Sequence, residues 1–222
     1  MIGPVDAVEA RRLARSIVEA RREGRRMKPL TNTRLLSPTD GLAIQDAMID
    51  LVTAGGETVV GWSMIDPTTL APVLSTSLID GRFRKGIPPQ TVDARVEPVL
   101  VVQGDVVHMG LRAIDKIMGI DLAEDEIAHG HGLVALTIGA ELPSESAHGF
   151  TLRWGREQRE LPGGIDGMRE SVEALLAKRG RSGAGLITSA ALMPSVSIER
   201  GGQVSVMVST ASASIETTLR HL

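Results

Sequence analysis

The hydrophobic period of this chain first changes at Gly55-Gly56, and that change limits the possible folds more than any other feature. Before it the pattern is helical. Across residues 6–24 Asp6 is placed to cap and Glu9 follows three positions later, while Ala10, Leu13, Ala14, Ile17 and Val18 form one apolar stripe. The opposite face carries Arg11, Arg12, Arg15, Arg21 and Arg22, diluted by Glu9, Glu19 and Glu23, and reads as a solvated surface. A second helix starts at Ser37 as N-cap with Pro38 at the first helical position and Asp40 at the positive end of the dipole. Leu42, Gln45, Met48, Ile49 and Val52 carry it forward until the paired glycines end it.

Beyond the glycines the apolar runs shorten to strand length. Strands are expected at 58–64, 95–102, 133–138 and 150–154, with further helices at 106–118 and 167–178. The last third alternates: 186–189 is a short strand, Val204, Val206 and Val208 alternate with Ser205, Met207 and Ser209, and 212–218 continues the pattern. Arg200 to Gln203 makes the turn between strands. Two helices followed by strands, interspersed helices and a meander predict an α+β chain with a mainly antiparallel core. The expected organisation is a helical segment over 1–56 and a β-rich core over 57–222, together one compact unit.

Composition removes whole classes of function. Acidic residues number 27 against 24 basic ones, without the basic surplus of a nucleic-acid binder. Two Trp, two Phe and no Tyr offer few stacking platforms for single strands. The absence of cysteine excludes disulfides, thiolate metal sites and cysteine nucleophiles. No uncharged apolar stretch reaches about 18 residues and no signal-type apolar run opens the chain, so a soluble, cytoplasmic protein is expected, with no nucleic-acid or membrane partner.

Few residues offer chemistry. There is no phosphate-binding loop, dinucleotide fingerprint or nucleophile elbow. His129 and His131 lie in Ala128-His129-Gly130-His131-Gly132, and in an extended segment they project to the same side, a geometry suited to acid–base work or metal binding. In a glycine-flexed loop they would simply face solvent. Glu97 interrupts an apolar strand, so it either faces solvent or has a partner, and Arg95, two residues earlier on the same side, is the nearest candidate. Trp62 and Ser63 share a strand, where a tryptophan after glycine usually packs in a core. Asp125 with Glu124 and Glu126 reads as a solvated turn.

Four stretches together resemble a known family. They are 37–45 running on to Val59-Val60-Gly61-Trp62, then Arg95-Val96-Glu97-Pro98-Val99, then 125–139, and finally 185–194 with the 201–214 meander. In order and spacing the chain resembles the 2-hydroxypenta-2,4-dienoate hydratase / 4-oxalocrotonate decarboxylase group of the fumarylacetoacetate hydrolase superfamily. That resemblance implies an antiparallel β roll or sandwich core behind the N-terminal helices. It also implies an oligomer, and Mg²⁺- or Mn²⁺-assisted chemistry on 2-oxo acids.

The chemical positions depart from the family pattern. Glu97 matches the first of the family's metal-ligand glutamates, Val99 stands at the second, and the third is replaced by Asp121 or Asp115. Ser63 stands where the family has a lysine, Leu70 falls near its loop acid, and His129, Gly130, His131 and Gly132 replace its polar set. The expectation is therefore a repurposed enzyme with no metal and no other cofactor. Isomerisation, elimination, decarboxylation or cyclisation of an enolisable carbonyl compound would be its reaction. Glu97, His129 and His131 would act as acids and bases, and Trp62, Ser63, Arg95 and Ser189 would bind substrate. The alternative is a non-catalytic subunit paired with an intact hydratase or decarboxylase, and a small-molecule sensor or carrier is the third reading.

Overall fold

The computed structural model describes residues 4–23, 30, 35–75, 78–79, 82–83, 86–87, 94–115, 133–143, 149–162, 167–181, 185–211 and 213–221. Two helices come first, α1 (Ala7–Glu23) and α2 (Pro38–Ala54). The strands that follow are β1 (Val59–Asp66), β2 (Thr69–Leu74), β3 (Leu78–Ile79), β4 (Arg82–Phe83) and β5 (Gly86–Ile87). Next are β6 (Ala94–Gln103), β7 (Val106–Asp115), β8 (Leu133–Glu141), β9 (Gly149–Trp154) and β10 (Glu157–Pro162). After α3 (Met168–Lys178) come β11 (Leu186–Thr188), β12 (Val196–Ile198), β13 (Gln203–Ser209) and β14 (Ser214–His221). The architecture is mixed α+β, as the change of period predicts.

The expected start of α2 and its capping chemistry are present. The Ser37 side chain accepts from the Asp40 backbone N–H and Asp40 answers the Ser37 N–H, a complete capping box with Pro38 beside it. Asp40 also accepts from the Val5 N–H, so one carboxylate joins the start of α2 to the chain entering α1.

One expectation is overturned. Of the helix expected over 106–118, residues 106–115 are instead the strand β7, paired antiparallel with β6 along its whole length, and 116–118 lie outside the described residues. The reason lies in the turn. Gln103 and Val106 face each other across Gly104-Asp105, and Gly104 takes φ +60, which a glycine supplies at little steric cost. Past the turn Met109, Leu111 and Ala113 are fully buried on one face, a period of two that a helical reading misses.

The main sheet runs β2-β1-β11-β6-β7-β8, with β12 pairing the start of β6. Its neighbours are antiparallel except β1 and β11, which run parallel. That parallel pair is unusually close: a Cβ on Gly61 would sit 2.1 Å from the Leu186 carbonyl oxygen. A second sheet runs β10-β9-β13-β14-β5.

Three apolar clusters form among the described residues. On one face of the main sheet Trp62, Leu70, Leu74, Val102 and Ile187 pack with Ile17, Ile44, Met48 and Val52 of the helices and Val172 and Leu176 of α3. Farther along the same sheet Val96, Leu100, Met109 and Leu111 pack against Leu152, Trp154, Val206, Val208 and Leu219 of the second sheet. Val73, Val99, Val101, Leu136 and Leu186 form the third cluster, on the other face. Val73 and Leu136 belong to opposite ends of the strand order, and β2 touches β8, so the main sheet curls around this third cluster. No helix among the described residues is long and apolar enough to cross a membrane.

Candidate functional site

Inside that curl, among valines and leucines, lies a knot of polar groups. Its centre is Arg112 on β7, fully buried and placed opposite Glu97 of β6 by the hairpin register. Arg112 Nε donates to Glu97 Oε1 at 2.8 Å, and Nη2 donates to the same oxygen. Nη1 donates to Ser63 Oγ at 2.5 Å, to the Met64 carbonyl at 2.8 Å and to the Ser189 carbonyl at 3.4 Å. Ser63 Oγ in turn shares a hydrogen bond of 2.5 Å with Thr188 Oγ1.

The reach of this side chain confirms the curl. In a flat sheet β7 and β1 stand three strand spacings apart, about 14 Å, well beyond an arginine side chain. Arg112 joins them because the sheet bends around it. Burying an unpaired guanidinium would be costly, and here each nitrogen donates to oxygen.

The sequence-predicted residues fall into separate places. Glu97 and Ser63 meet at Arg112, as does the carbonyl of Ser189. The Ser189 hydroxyl serves the backbone instead, accepting from the Leu100 N–H at 2.9 Å and donating to the Ala190 carbonyl at 2.7 Å. Trp62 does not join them. It faces the helices, with Arg179 and Arg181 stacked 5.6 and 5.8 Å from its ring centre, both also bonded to Asp46 of α2.

Arg95 lies two residues from Glu97 on the same side of β6, yet Glu97 pairs with Arg112, and the buried Nε of Arg95 has no hydrogen-bond partner among the described residues. Val99, at the second ligand position of the resemblance, is fully buried among hydrocarbon. His129, His131 and Asp121 lie outside the described residues, as does the side chain of Asp115.

Glu97 keeps an asymmetric environment. Both guanidinium bonds fall on Oε1, and no described residue bonds Oε2, while the side chain retains 10% of its surface exposed. A carboxylate fixed by one oxygen and open at the other can exchange a proton without changing rotamer. A shallow groove on the second sheet, lined by Phe150, Glu160, Leu161 and Thr210 among others, contains none of these residues.

Arg112 is the participant that sequence reading missed. The signal was present: Gly104-Asp105 between two apolar alternating runs is a hairpin turn, and its register carries Glu97 opposite Arg112.

No protein-family model and no curated protein matches the chain. Solved structures do. The chain is similar to 4-oxalocrotonate decarboxylase from Pseudomonas putida G7 complexed with magnesium and adipate, at 14% identity and TM-score 0.76 over 100% of both chains. The same enzyme complexed with calcium and acetate aligns at 16% identity and TM-score 0.70, again over 100% of both chains. At these identities the likeness establishes the fold. The residues around Arg112, as they stand, do not fit a divalent cation. Glu97 Oε1 is held by a guanidinium, and Val99 offers no lone pair. A divalent cation seated on the same oxygen would face the charge of Arg112.

Proposed function

We propose that the chain is a lyase- or isomerase-type enzyme that moves a proton on an enolisable carbonyl compound without a divalent metal, with Glu97 as the proton carrier. The observation that carries this is the one-sided fixation of Glu97: Arg112 holds Oε1 inside an apolar wall while Oε2 has no bond from a described residue. Arg112 is the positioning residue, compensating the carboxylate charge and locking its rotamer. Arg95, on the same side of β6 as Glu97, is the cation assigned to an anionic oxygen of the substrate. Proton removal beside the carbonyl gives an enolate. Return of that proton elsewhere isomerises, and loss of a β leaving group eliminates. In a decarboxylation the enolate arises instead from loss of CO₂, whose bonding pair passes to the carbonyl, and a proton delivered to carbon completes the step. His129 or His131 supplies the second acid–base group. The β roll or sandwich of the fumarylacetoacetate hydrolase type is supported by the contact of β2 with β8 and by the second sheet packed outside.

Exchange of the C3 hydrogens of 2-oxobutyrate in D₂O, followed by proton NMR, tests the reading with a generic enolisable acid. Exchange that is equal in EDTA and in Mn²⁺, and that falls about 10²-fold or more in Glu97→Gln, is the expected outcome. Exchange that requires Mn²⁺ overturns the metal-free mechanism, and exchange unaffected by Glu97→Gln overturns the assignment of the base.

A second reading, a non-catalytic subunit that assembles with a related enzyme, is favoured by one feature. The polar knot is satisfied by the protein's own groups, as a purely structural element would be. Absence of any exchange, together with a stable co-complex with an intact hydratase or decarboxylase, selects it. In either reading the chain forms oligomers, and in the first its ligand is a small carbonyl compound or 2-oxo acid.

A further inference from the structure

We infer that the polar knot is an oxygen-lined cation site whose resident cation is the tethered guanidinium of Arg112, and that removing this side chain opens the site to a free divalent cation. Four oxygens from three elements converge on the guanidinium. They are Glu97 Oε1 from β6, Ser63 Oγ and the Met64 carbonyl from β1, and the Ser189 carbonyl just past β11. A carboxylate, a hydroxyl and two main-chain carbonyls are the kinds of ligand that hard divalent cations take.

The charge count agrees. One guanidinium balances one carboxylate, with both groups held inside the curl of the main sheet. The cage has no second carboxylate among the described residues, because Val99 and Gly110 are the neighbours of Glu97 and Arg112 along the same face. With Arg112 in place, a divalent ion would leave this single carboxylate facing a threefold positive charge. With Arg112 cut back to alanine, the same oxygens carry a net negative charge around a space of arginine size, room for an ion and waters to complete its shell. A permanent cation cannot be diluted, chelated or exchanged. The site therefore keeps its electrostatics whatever the metal supply.

The test compares the wild type, Arg112→Ala and Arg112→Ala/Glu97→Gln. Melting temperature is measured in EDTA and in millimolar Mn²⁺, and bound Mn²⁺ is counted by electron paramagnetic resonance. The wild type is expected to melt at the same temperature in both and to bind no Mn²⁺ at this site. Arg112→Ala is expected to melt several degrees lower in EDTA, to recover part of the loss in Mn²⁺ and to hold one ion per chain. The double variant is expected to show neither recovery nor bound ion. An Arg112→Ala protein that binds no Mn²⁺, or a double variant that binds it as well, overturns the inference.

Should Arg112→Ala fail to fold, Arg112→Lys and Arg112→Met decide. A cation requirement makes the lysine variant melt above the methionine variant, although methionine is the better apolar filler. The reverse order overturns the inference. None of these readouts involves turnover, so the outcome stands apart from the proposed proton transfer by Glu97.

Discussion

Glu97 and Arg112 answer each other so completely that neither is tolerable alone. Replacing a fully buried charge pair by hydrocarbon can be neutral, but removing one partner strands the other in the apolar curl. Glu97→Ala is therefore expected to lower unfolding stability by about 3–5 kcal/mol, read by urea titration, because the guanidinium loses the one carboxylate that pairs with it among the described residues. A loss below about 1 kcal/mol would mean that Arg112 reaches solvent or another acid when Glu97 is gone. At this scale the sequence was half legible. An acid inside the run Val96 to Val102 must either face solvent or have a partner, and Glu97 stood out for that reason. The identity of the partner could not be read from β6 alone, since Arg95 is adjacent in sequence but Arg112 is adjacent in the sheet. Trp62 and Ser63 show the same division. They are neighbours in the chain, and strand alternation sends one to the helices and the other to the knot.

At the scale of elements, the site depends on backbones that approach closely. The parallel contact of β1 with β11 brings Ser63 beside Thr188, and Gly61 permits it. Gly61→Ala places a methyl group 2.1 Å from the Leu186 carbonyl oxygen, and the strands must separate. The expected cost is at least about 1–3 kcal/mol in stability, with loss of any C3 exchange activity because Ser63 and the Met64 carbonyl move away from Arg112. Unchanged stability would show that β1 and β11 shift without strain. Most elements were legible because their signals are local. The capping box at Ser37 and Asp40, the paired glycines after α2 and the alternation of β13 each announce themselves within a few residues. Strand β7 was not, because Val106, Met109, Ala113 and Ile114 also fit a helical spacing. Only pairing across Gly104-Asp105 decides between the two periods.

Across the whole molecule, the helical segment and the β-rich segment share one core, since α1, α2, β1, β2, β11 and α3 all contribute to the cluster around Trp62. A fragment of residues 57–222 is therefore expected to lack a cooperative thermal transition by circular dichroism, because its helix-facing side would expose Leu70, Leu74 and Ile187 to water. A fragment melting like the intact chain would establish two independent folding units instead. The α+β class followed from the order of local periods. The curl of the main sheet did not, because it arises from contacts between strands far apart in sequence, such as β2 with β8.

The chain has two tryptophans, and the fold assigns one to each side of the molecule. Trp62 sits in the helix-facing core beneath two guanidinium groups, and Trp154 sits between the sheets with its indole N–H on the Pro194 carbonyl. The protein thus carries its own pair of optical probes. Emission from Trp62 follows the seam between helices and sheet, emission from Trp154 follows the stacked sheets, and single-tryptophan variants separate the two signals without a label.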